Sequence, residues 1–364
     1  MKVDEVNIAK RPARQALRPL EVIGQLWAWL FLLVLIVIFS IFGQGFFSLL
    51  NFQNIGANMA IVLIMALGQT FVIISGGIDL STGYVMGLAT VVAALVMTNY
   101  GEGLPLAVVA LMGVVSGSIA GLIAGFINGI IIARLKVPPF IVTLGMYGIA
   151  RGVGFILSGG QPVSVQIKDM GQIGNGYLVY YHPNTGINFW SLPTGLQGTQ
   201  LREVTSILPH PLTIMLVLVL ICHWVLSQTK FGQHTYAVGG NYEASLRAGI
   251  PVVRHTVYVY MLSALLAALA GVLYTFRFTN GAANAGDSLL LDSIAAVVIG
   301  GASLFGGEGT IIGTLIGALI IAIIQNGLVI LGINPFWQFV AIGVVIILAV
   351  LVDQARARVM SNRE

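Results

Sequence analysis

The residues that could do chemistry in this chain are few, and several of them interrupt or border long apolar stretches. The acidic ones are Asp79, Asp292 and Glu308. An ionisable group at such a place either lines a path through a membrane or caps a neighbouring helix. Both interpretations stay open for these three carboxylates.

Amide side chains form a second set of candidates within the apolar runs. Amides bind the hydroxyl groups of a solute, but they also hydrogen-bond neighbouring membrane helices to each other. Both interpretations stay open for the polar candidates. The residues that we expect to line a solute pathway are Asn58, Gln69, Gly76, Gly77, Asp79, Asn128, Gln325 and Asn326.

Other reactive residue types give no site. The 5 histidines are scattered without the spacing of metal ligands, and no nucleophile stands beside a base. We therefore predict no metal, no cofactor and no catalytic residue. The single cysteine, Cys222, lies in an apolar run and is interpreted as a packed thiol. Phe336 and Trp337 either stack on the ring of a solute or belong to an interfacial aromatic belt.

Residues 157–161 read Leu-Ser-Gly-Gly-Gln, which is the signature of ATP-binding cassette ATPases. That signature works only beside a phosphate-binding loop of the type G-x-x-x-x-G-K-[ST]. Every lysine in this chain follows a residue other than glycine, so the loop is missing. We expect a helix end and a turn here, and any ATP hydrolysis must come from another chain.

The composition predicts the kind of secondary structure that positions these residues. Hydrophobic residues make up 57% of the 364 residues and charged residues only 8%, against about 25% charged in a soluble domain. No Asp, Glu, Lys or Arg occurs between Glu21 and Asp79, or between Glu308 and Asp353. The chain is therefore predicted to be an all-α, polytopic membrane protein embedded in a lipid bilayer. The net charge of +4 indicates no nucleic-acid partner.

About ten membrane-spanning helices are expected. The apolar run after the basic N-terminus is too long for a signal peptide and is interpreted as the first helix. The ten lie near residues 24–46, 55–75, 84–98, 105–133, 139–157, 211–227, 257–276, 289–305, 310–331 and 336–352.

The basic residues predict the orientation, because Lys and Arg favour the cytoplasmic side of short loops. They place both termini in the cytoplasm, with Arg277 and Arg151 as exceptions. The expected division is a cytoplasmic segment 1–20, a membrane domain 21–353 and a cytoplasmic tail 354–364. Within the membrane domain, 158–210 is expected to be a polar periplasmic loop and 228–256 a cytoplasmic loop.

Glycine pairs predict broken helices at Gly76-Gly77 and between Gly300 and Gly307. Such breaks are tolerated where they are buried in protein or line a cavity. Gly76, Gly77, Gly83 and Gly87 have the same spacing as Gly306, Gly307, Gly313 and Gly317, which suggests an internal repeat. Chance remains the alternative, because glycine is common in this chain.

The loop 228–256 carries the signals of a short helix. Asn241 is a good N-cap, Glu243 suits the first turn, Arg247 lies one turn after Glu243 on the same face, and Gly249 can end the helix. On helix physics alone, a short amphipathic connector is the simpler interpretation.

This loop resembles the coupling loop of ATP-binding cassette importer permeases. Further stretches resemble the ribose-type simple-sugar permeases: Gly76–Ser81, Val137–Gly145, Leu291–Gly301, Phe305–Gly313 and Asn334–Gln338. The resemblance extends from about residue 50 to residue 353. It leaves out the N-terminal 20 residues and the outer loop around 180–202.

The resemblance implies a permease subunit for a pentose or hexose in the bacterial inner membrane. It implies three partners: a cytoplasmic ATP-binding cassette ATPase, a periplasmic sugar-binding protein, and a second permease copy or paralogue. The residues that it assigns to ATPase coupling are Gly239, Gly240, Asn241, Glu243, Ala244, Arg247 and Gly249. The alternatives are the same architecture importing a nucleoside, a branched amino acid or a signalling furanone, an ion-driven secondary transporter, and a membrane enzyme.

Overall fold

The protein is described by a computed structural model over residues 19–192, 200, 203–334 and 336–361. The predicted segment 1–20 lies almost entirely outside these residues, as do the last residues of the predicted tail. The helices are α1 Pro19–Phe42, α2 Leu49–Ile74, α3 Thr82–Tyr100, α4 Leu106–Leu135, α5 Pro139–Ser158, α6 Met170–Asn175, α7 His210–Gln228, α8 Lys230–Gly240, α9 Tyr242–Arg247, α10 Val252–Phe278, α11 Asp287–Ile299, α12 Ile311–Ile330 and α13 Trp337–Ser361.

Among the described residues, 7 helices are long and apolar enough to cross a bilayer: α2, α3, α4, α5, α7, α10 and α12. The expected count of ten is therefore not confirmed. The described apolar parts of α1 and α13, Trp27–Phe42 and Trp337–Leu348, are shorter. Helix α11 has 13 residues and extends only about 20 Å, against a hydrocarbon core of about 30 Å.

Helices α2 and α10 form the centre of the molecule. The most apolar stretch of α2 is 94% buried inside the protein. Helix α10 packs against α2, α3 and α4. Along α4, glycines at four-residue intervals face the backbone or small side chains of α10: Gly117, Gly121, Gly125 and Gly129. Small residues at this spacing let two membrane helices approach closely, which explains the high glycine content of the chain.

Two small sheets correct the expectation of an all-α fold. Strands β2 (Tyr177–His182), β3 (Gly186–Phe189) and β4 (Thr205–Pro209) form an antiparallel sheet in the order β3-β2-β4. Strands β1 (Val163–Ser164) and β5 (Asn280–Gly281) pair separately. The physical reason is local: β2 is rich in tyrosine and ends at a turn whose Gly186 has a φ of +78°. The described parts of the predicted polar loop 158–210 thus contain strands and the short helix α6.

Both predicted breaks are present. Helix α2 ends before Gly76, whose φ is +83°, and the chain turns before α3 begins. A second turn joins α11 to α12 and contains Gly306 and Gly307, with φ values of +89° and +78°. Residues 157–161 also behave as expected, since α5 ends at Ser158 and Gly159 takes a left-handed conformation.

Four of the eight glycines of the suspected repeat lie against the two ends of α11. Gly83 and Gly87 on α3 meet the backbone just before α11, at Gly286 and Ala283. Gly313 and Gly317 on α12 meet the backbone at the other end of α11. The two sets therefore hold the two ends of the short helix α11 between its neighbours.

Candidate functional site

Three backbone segments meet at one end of the helical bundle, and we call this meeting the turn junction. It consists of residues 74–77 after α2, residues 306–309 before α12, and residues 236–240 at the end of α8. The Gly307 N–H donates to the Ile74 carbonyl at 2.8 Å. The Tyr236 hydroxyl donates to the Gly309 carbonyl at 2.7 Å. Burial raises the pKa of Tyr236, so this phenol stays protonated as a donor at neutral pH.

Gly239 is the residue on which the turn junction depends most. A Cβ at this position would overlap the Ile74 carbonyl oxygen and the Gly307 nitrogen. A Cβ at Gly306 would likewise stand 2.9 Å from the Gly76 Cα. Because backbone touches backbone at each contact, a displacement of α8 must move both turns.

The predicted short helix is confirmed as α9. The Asn241 side-chain oxygen accepts from the Ala244 N–H at 2.9 Å, and Gly249 ends the helix with a φ of +80°. Glu243 and Arg247 are both exposed and form no ion pair within the described part of the chain. Tyr242 and Leu246 are 41% and 43% exposed, so α9 presents an apolar pair one turn apart beside its charges.

Behind α8 and α9 lies a cavity of about 380 Å³. Its walls come from the turn after α2, the connection between α4 and α5, the end of α8, the start of α9 and the first turns of α10. Gly76, Gly77 and Glu243 are among its lining residues, as are Lys136 and Tyr260. The cavity thus joins two predicted pathway glycines to a predicted coupling residue.

A buried polar cluster brings together three of the predicted pathway residues. Asp79 accepts from the Ser81 hydroxyl at 2.6 Å and from the Ser263 hydroxyl at 2.9 Å. Asn128 donates to the Ser81 hydroxyl at 3.0 Å. Gln69 donates to the Asp79 carbonyl. The cluster therefore links α2, α3, α4 and α10.

The side chains of Gln69, Asp79 and Asn128 are fully buried. In this conformation they hold helices together, which supports the interhelical interpretation that their sequence context left open. Asp79 also accepts from the Ser81 N–H at 3.0 Å, just before α3 begins. Its buried carboxylate thus accepts hydrogen bonds just before the start of α3, inside the protein.

The remaining candidates lie apart from the cluster. Asn58 is exposed and accepts from Arg277. Gln325 donates to Asp292 at 3.1 Å, and Asn326 donates to Asn51 at 2.9 Å. Among the described residues, no group of His, Cys, Asp and Glu is arranged to hold a metal ion.

One face of α5 is open. A Cβ atom added at Gly145, Gly148 or Gly152 would have no other atom of the described chain within 4 Å. Arg151 is exposed on α5 as well. The sequence marked Arg151 only as an exception to the basic-loop pattern, although a charge inside a predicted membrane helix is itself a signal of function.

Comparison with known proteins shows which family the chain belongs to. Residues 51–350 match the family described as branched-chain amino acid transport system / permease component. The ribose import permease protein RbsC of Bacillus subtilis is 39% identical over 339 residues, covering 92% of this chain and 94% of the relative. The fructose import permease protein FrcC of Rhizobium meliloti is 37% identical, covering 88% of this chain and 82% of the relative.

A third relative is the xylose transport system permease protein XylH of Haemophilus influenzae. It is 34% identical, and the match covers 90% of this chain and 95% of the relative. No solved structure matches the chain. With its apolar helices, this chain is a multi-pass membrane protein and a transport component, and it belongs to the family of branched-chain amino acid transport system / permease components.

Proposed function

We propose that this chain is the membrane subunit of an ATP-binding cassette importer that carries a pentose or hexose across the bacterial inner membrane. The observation that carries the proposal is 39% identity to a ribose import permease over nearly the full length of both chains. The fructose and xylose permeases among its relatives extend the substrate class to simple sugars.

The α8–α9 segment is the proposed contact with the ATPase. Helix α9 projects an exposed apolar pair, Tyr242 and Leu246, which suits insertion into a groove on a partner. Gly239 joins this segment directly to the turns beside α2 and α12. A push on α9 would therefore reach the membrane helices through the turn junction, which is the mechanical link that an ATP-driven permease needs.

This assignment also fixes the proposed orientation. If α8 and α9 face the ATPase, residues 228–256 lie in the cytoplasm, and the folded segment 158–210 lies in the periplasm, where a sugar-binding protein would dock. If α1, α11 and α13 also cross the membrane, they bring the 7 long apolar helices to ten membrane segments. An even number of segments places both termini on the same side, the cytoplasm.

The open face of α5 is the proposed contact with a second permease copy or a paralogue. A membrane helix whose lipid-facing side carries Arg151 is costly, so this face requires a covering partner or water. In this arrangement the pathway runs between the two permeases. The buried residues Gln69, Asp79 and Asn128 stabilise the helices beside the pathway, and Gly76 and Gly77 line the cavity at its cytoplasmic end.

Co-purification tests the proposal. The tagged chain is extracted from its native host in mild detergent, and the proteins that accompany it are identified by mass spectrometry. We expect an ATP-binding cassette ATPase that is lost from the Leu246→Asp variant. Leu104→Asp, at a 44% exposed site in the α3–α4 connection, is the control outside both the coupling segment and the membrane helices. Recovery of the folded chain without any ATPase, in both the unaltered protein and the control, would contradict the proposal.

A further inference from the structure

A group of aromatic and charged side chains lies halfway along α5, apart from the buried polar cluster and the turn junction. The Tyr147 hydroxyl donates to the Asp287 carboxylate at 3.3 Å. The Arg151 guanidinium lies 5.4 Å from the centre of the Tyr84 ring. The rings of Tyr84 and Tyr147 meet edge to face, with centroids 4.5 Å apart. We call these four residues the mid-membrane cluster.

The depth of the cluster follows from helix geometry. Tyr147 and Arg151 stand about 12 Å and about 18 Å from the first residue of α5, at about 1.5 Å per residue. Asp287 is the first residue of α11. The chain before it lies along α3, because Gly281 meets Thr90 and Gly286 meets Gly83. Helix α11 therefore begins inside the bundle, with its N-terminus at the depth of Tyr147.

The cluster faces outward from this subunit. Arg151 and Asp287 are exposed, and Tyr147 is half-buried. Gly148 and Gly152, on the same helix, leave the surface beside Arg151 open. Opposite charges exposed halfway across a membrane point to a water-filled path, because charged side chains in membrane helices face such paths or the protein interior.

We propose that the mid-membrane cluster is a contact site for the sugar on its way through the membrane, an inference that rests on the proposed function. Arginine offers a rigid set of N–H donors and the aspartate offers two acceptor oxygens, which together match neighbouring sugar hydroxyls. The Tyr147 ring offers an apolar surface for the C–H side of a sugar ring. Tyr84 is buried and acts as a positioning residue that orients Arg151.

The first experiment asks whether the cluster faces water. In a Cys222→Ser background, Gly148→Cys places a single thiol beside Arg151, and Leu220→Cys is the control on α7, at a side chain that is 68% exposed. The assembled transporter in vesicles is treated with a charged, membrane-impermeant thiol reagent, with and without ATP. We expect Gly148→Cys to react at least about tenfold faster than the control in one of the two states. Equal, slow reaction of both thiols in both states would overturn the proposal.

The second experiment asks whether the cluster contacts sugar. Arg151→Gln, Asp287→Asn and Tyr147→Phe are compared with Arg134→Gln, an exposed arginine at the end of α4. Uptake of labelled ribose, xylose and fructose is measured beside ATP hydrolysis of the same complex. We expect Arg151→Gln to lower uptake about tenfold or more, since it loses charged hydrogen bonds, to change the preference among the sugars, and to leave hydrolysis and ATPase co-purification intact.

A purely structural role predicts something different. Uptake, hydrolysis and assembly would then fall together in Arg151→Gln, and the order of preference among the sugars would not change. That result would overturn the sugar-contact proposal while leaving the importer assignment in place. The importer assignment is tested separately, by whether an ATPase accompanies the unaltered chain.

Discussion

At the scale of single residues, the buried carboxylate of Asp79 shows how polar groups are used in this membrane protein. A carboxylate can be buried only if hydrogen bonds replace its water. The hydroxyls of Ser81 and Ser263 and one backbone N–H supply those bonds. Asp79 therefore contributes to the packing of α3 against α10, and we expect its effect on transport to be indirect.

Asp79→Asn tests this role. The amide keeps the shape but replaces one acceptor oxygen with a donor. One serine hydroxyl must then accept, and its own buried proton loses its acceptor, at a cost of about 1–3 kcal/mol. We expect lower thermal stability in detergent and an unchanged uptake rate per folded molecule. The exposed Asp169→Asn is the control and should change neither quantity. A stable Asp79→Asn variant with impaired uptake would assign Asp79 to the pathway.

Gly239 and Gly240 give a matched pair for the turn junction. A Cβ at Gly239 would collide with the backbone of Ile74 and Gly307, whereas Gly240 has open space around it. We expect Gly239→Ala to cost about 1–3 kcal/mol of stability and to weaken coupling of ATP hydrolysis to uptake. Gly240→Ala should keep the stability of the unaltered protein. Thermal denaturation and the ratio of uptake to hydrolysis check both variants, and equal behaviour of the two would refute the backbone contact.

At the scale of elements, α9 is the helix in which mutations can test the proposed ATPase contact without disturbing the fold. Its cap at Asn241 and its end at Gly249 are local features. Within the described part of the chain, the side chains of Glu243, Leu246 and Arg247 are exposed and form no hydrogen bond or ion pair. Mutations on this surface therefore report on the ATPase contact more than on folding.

Glu243→Lys is expected to abolish uptake without affecting membrane insertion or thermal stability, because the side chain is exposed and the change reverses its charge. Gly249→Trp should also abolish uptake, but its left-handed backbone adds strain, so a small loss of stability is expected as well. Glu102→Lys, exposed in the α3–α4 connection, is the control. Normal uptake by both coupling variants would show that α9 is not the coupling element.

Most helices could be predicted from the sequence, because long apolar runs and local caps are sufficient to define them. The break at Gly76-Gly77 and the helix after Asn241 were predicted for the same reason. The small sheets were missed because the segment 158–210 has no long apolar run, and the tyrosine-rich strand β2 is only 6 residues long.

The groupings of side chains could not be predicted, because they join residues far apart in the chain. Asp79 and Ser263 are 184 positions apart, and Tyr147 and Asp287 are 140 positions apart. Only tertiary packing brings such pairs together. For this reason Asp79 and Asn128 were recognised as candidates but their shared cluster was not, and Asp287 was not singled out.

At the scale of the whole molecule, the exposed Arg151 on α5 supports the proposal that a second permease subunit packs against this face. The proposed partner permease covers this face and completes the pathway. Single cysteines placed in a Cys222→Ser background along its exposed positions, Ile141, Leu144, Ile149 and Ile156, should cross-link two permease chains into a species of twice the mass on a denaturing gel. Leu220→Cys on α7 should not. Cross-linking at α7 alone would place the interface elsewhere.

The most direct test of the central claim is sugar uptake into proteoliposomes that hold the chain together with its co-purified ATPase. Labelled ribose, xylose and fructose are supplied outside with the binding protein, and ATP is enclosed inside. The importer account predicts uptake of at least one sugar that requires both ATP and the ATPase and that persists when an uncoupler collapses the ion gradients. Uptake by the chain alone, driven by an ion gradient and abolished by the uncoupler, would contradict it.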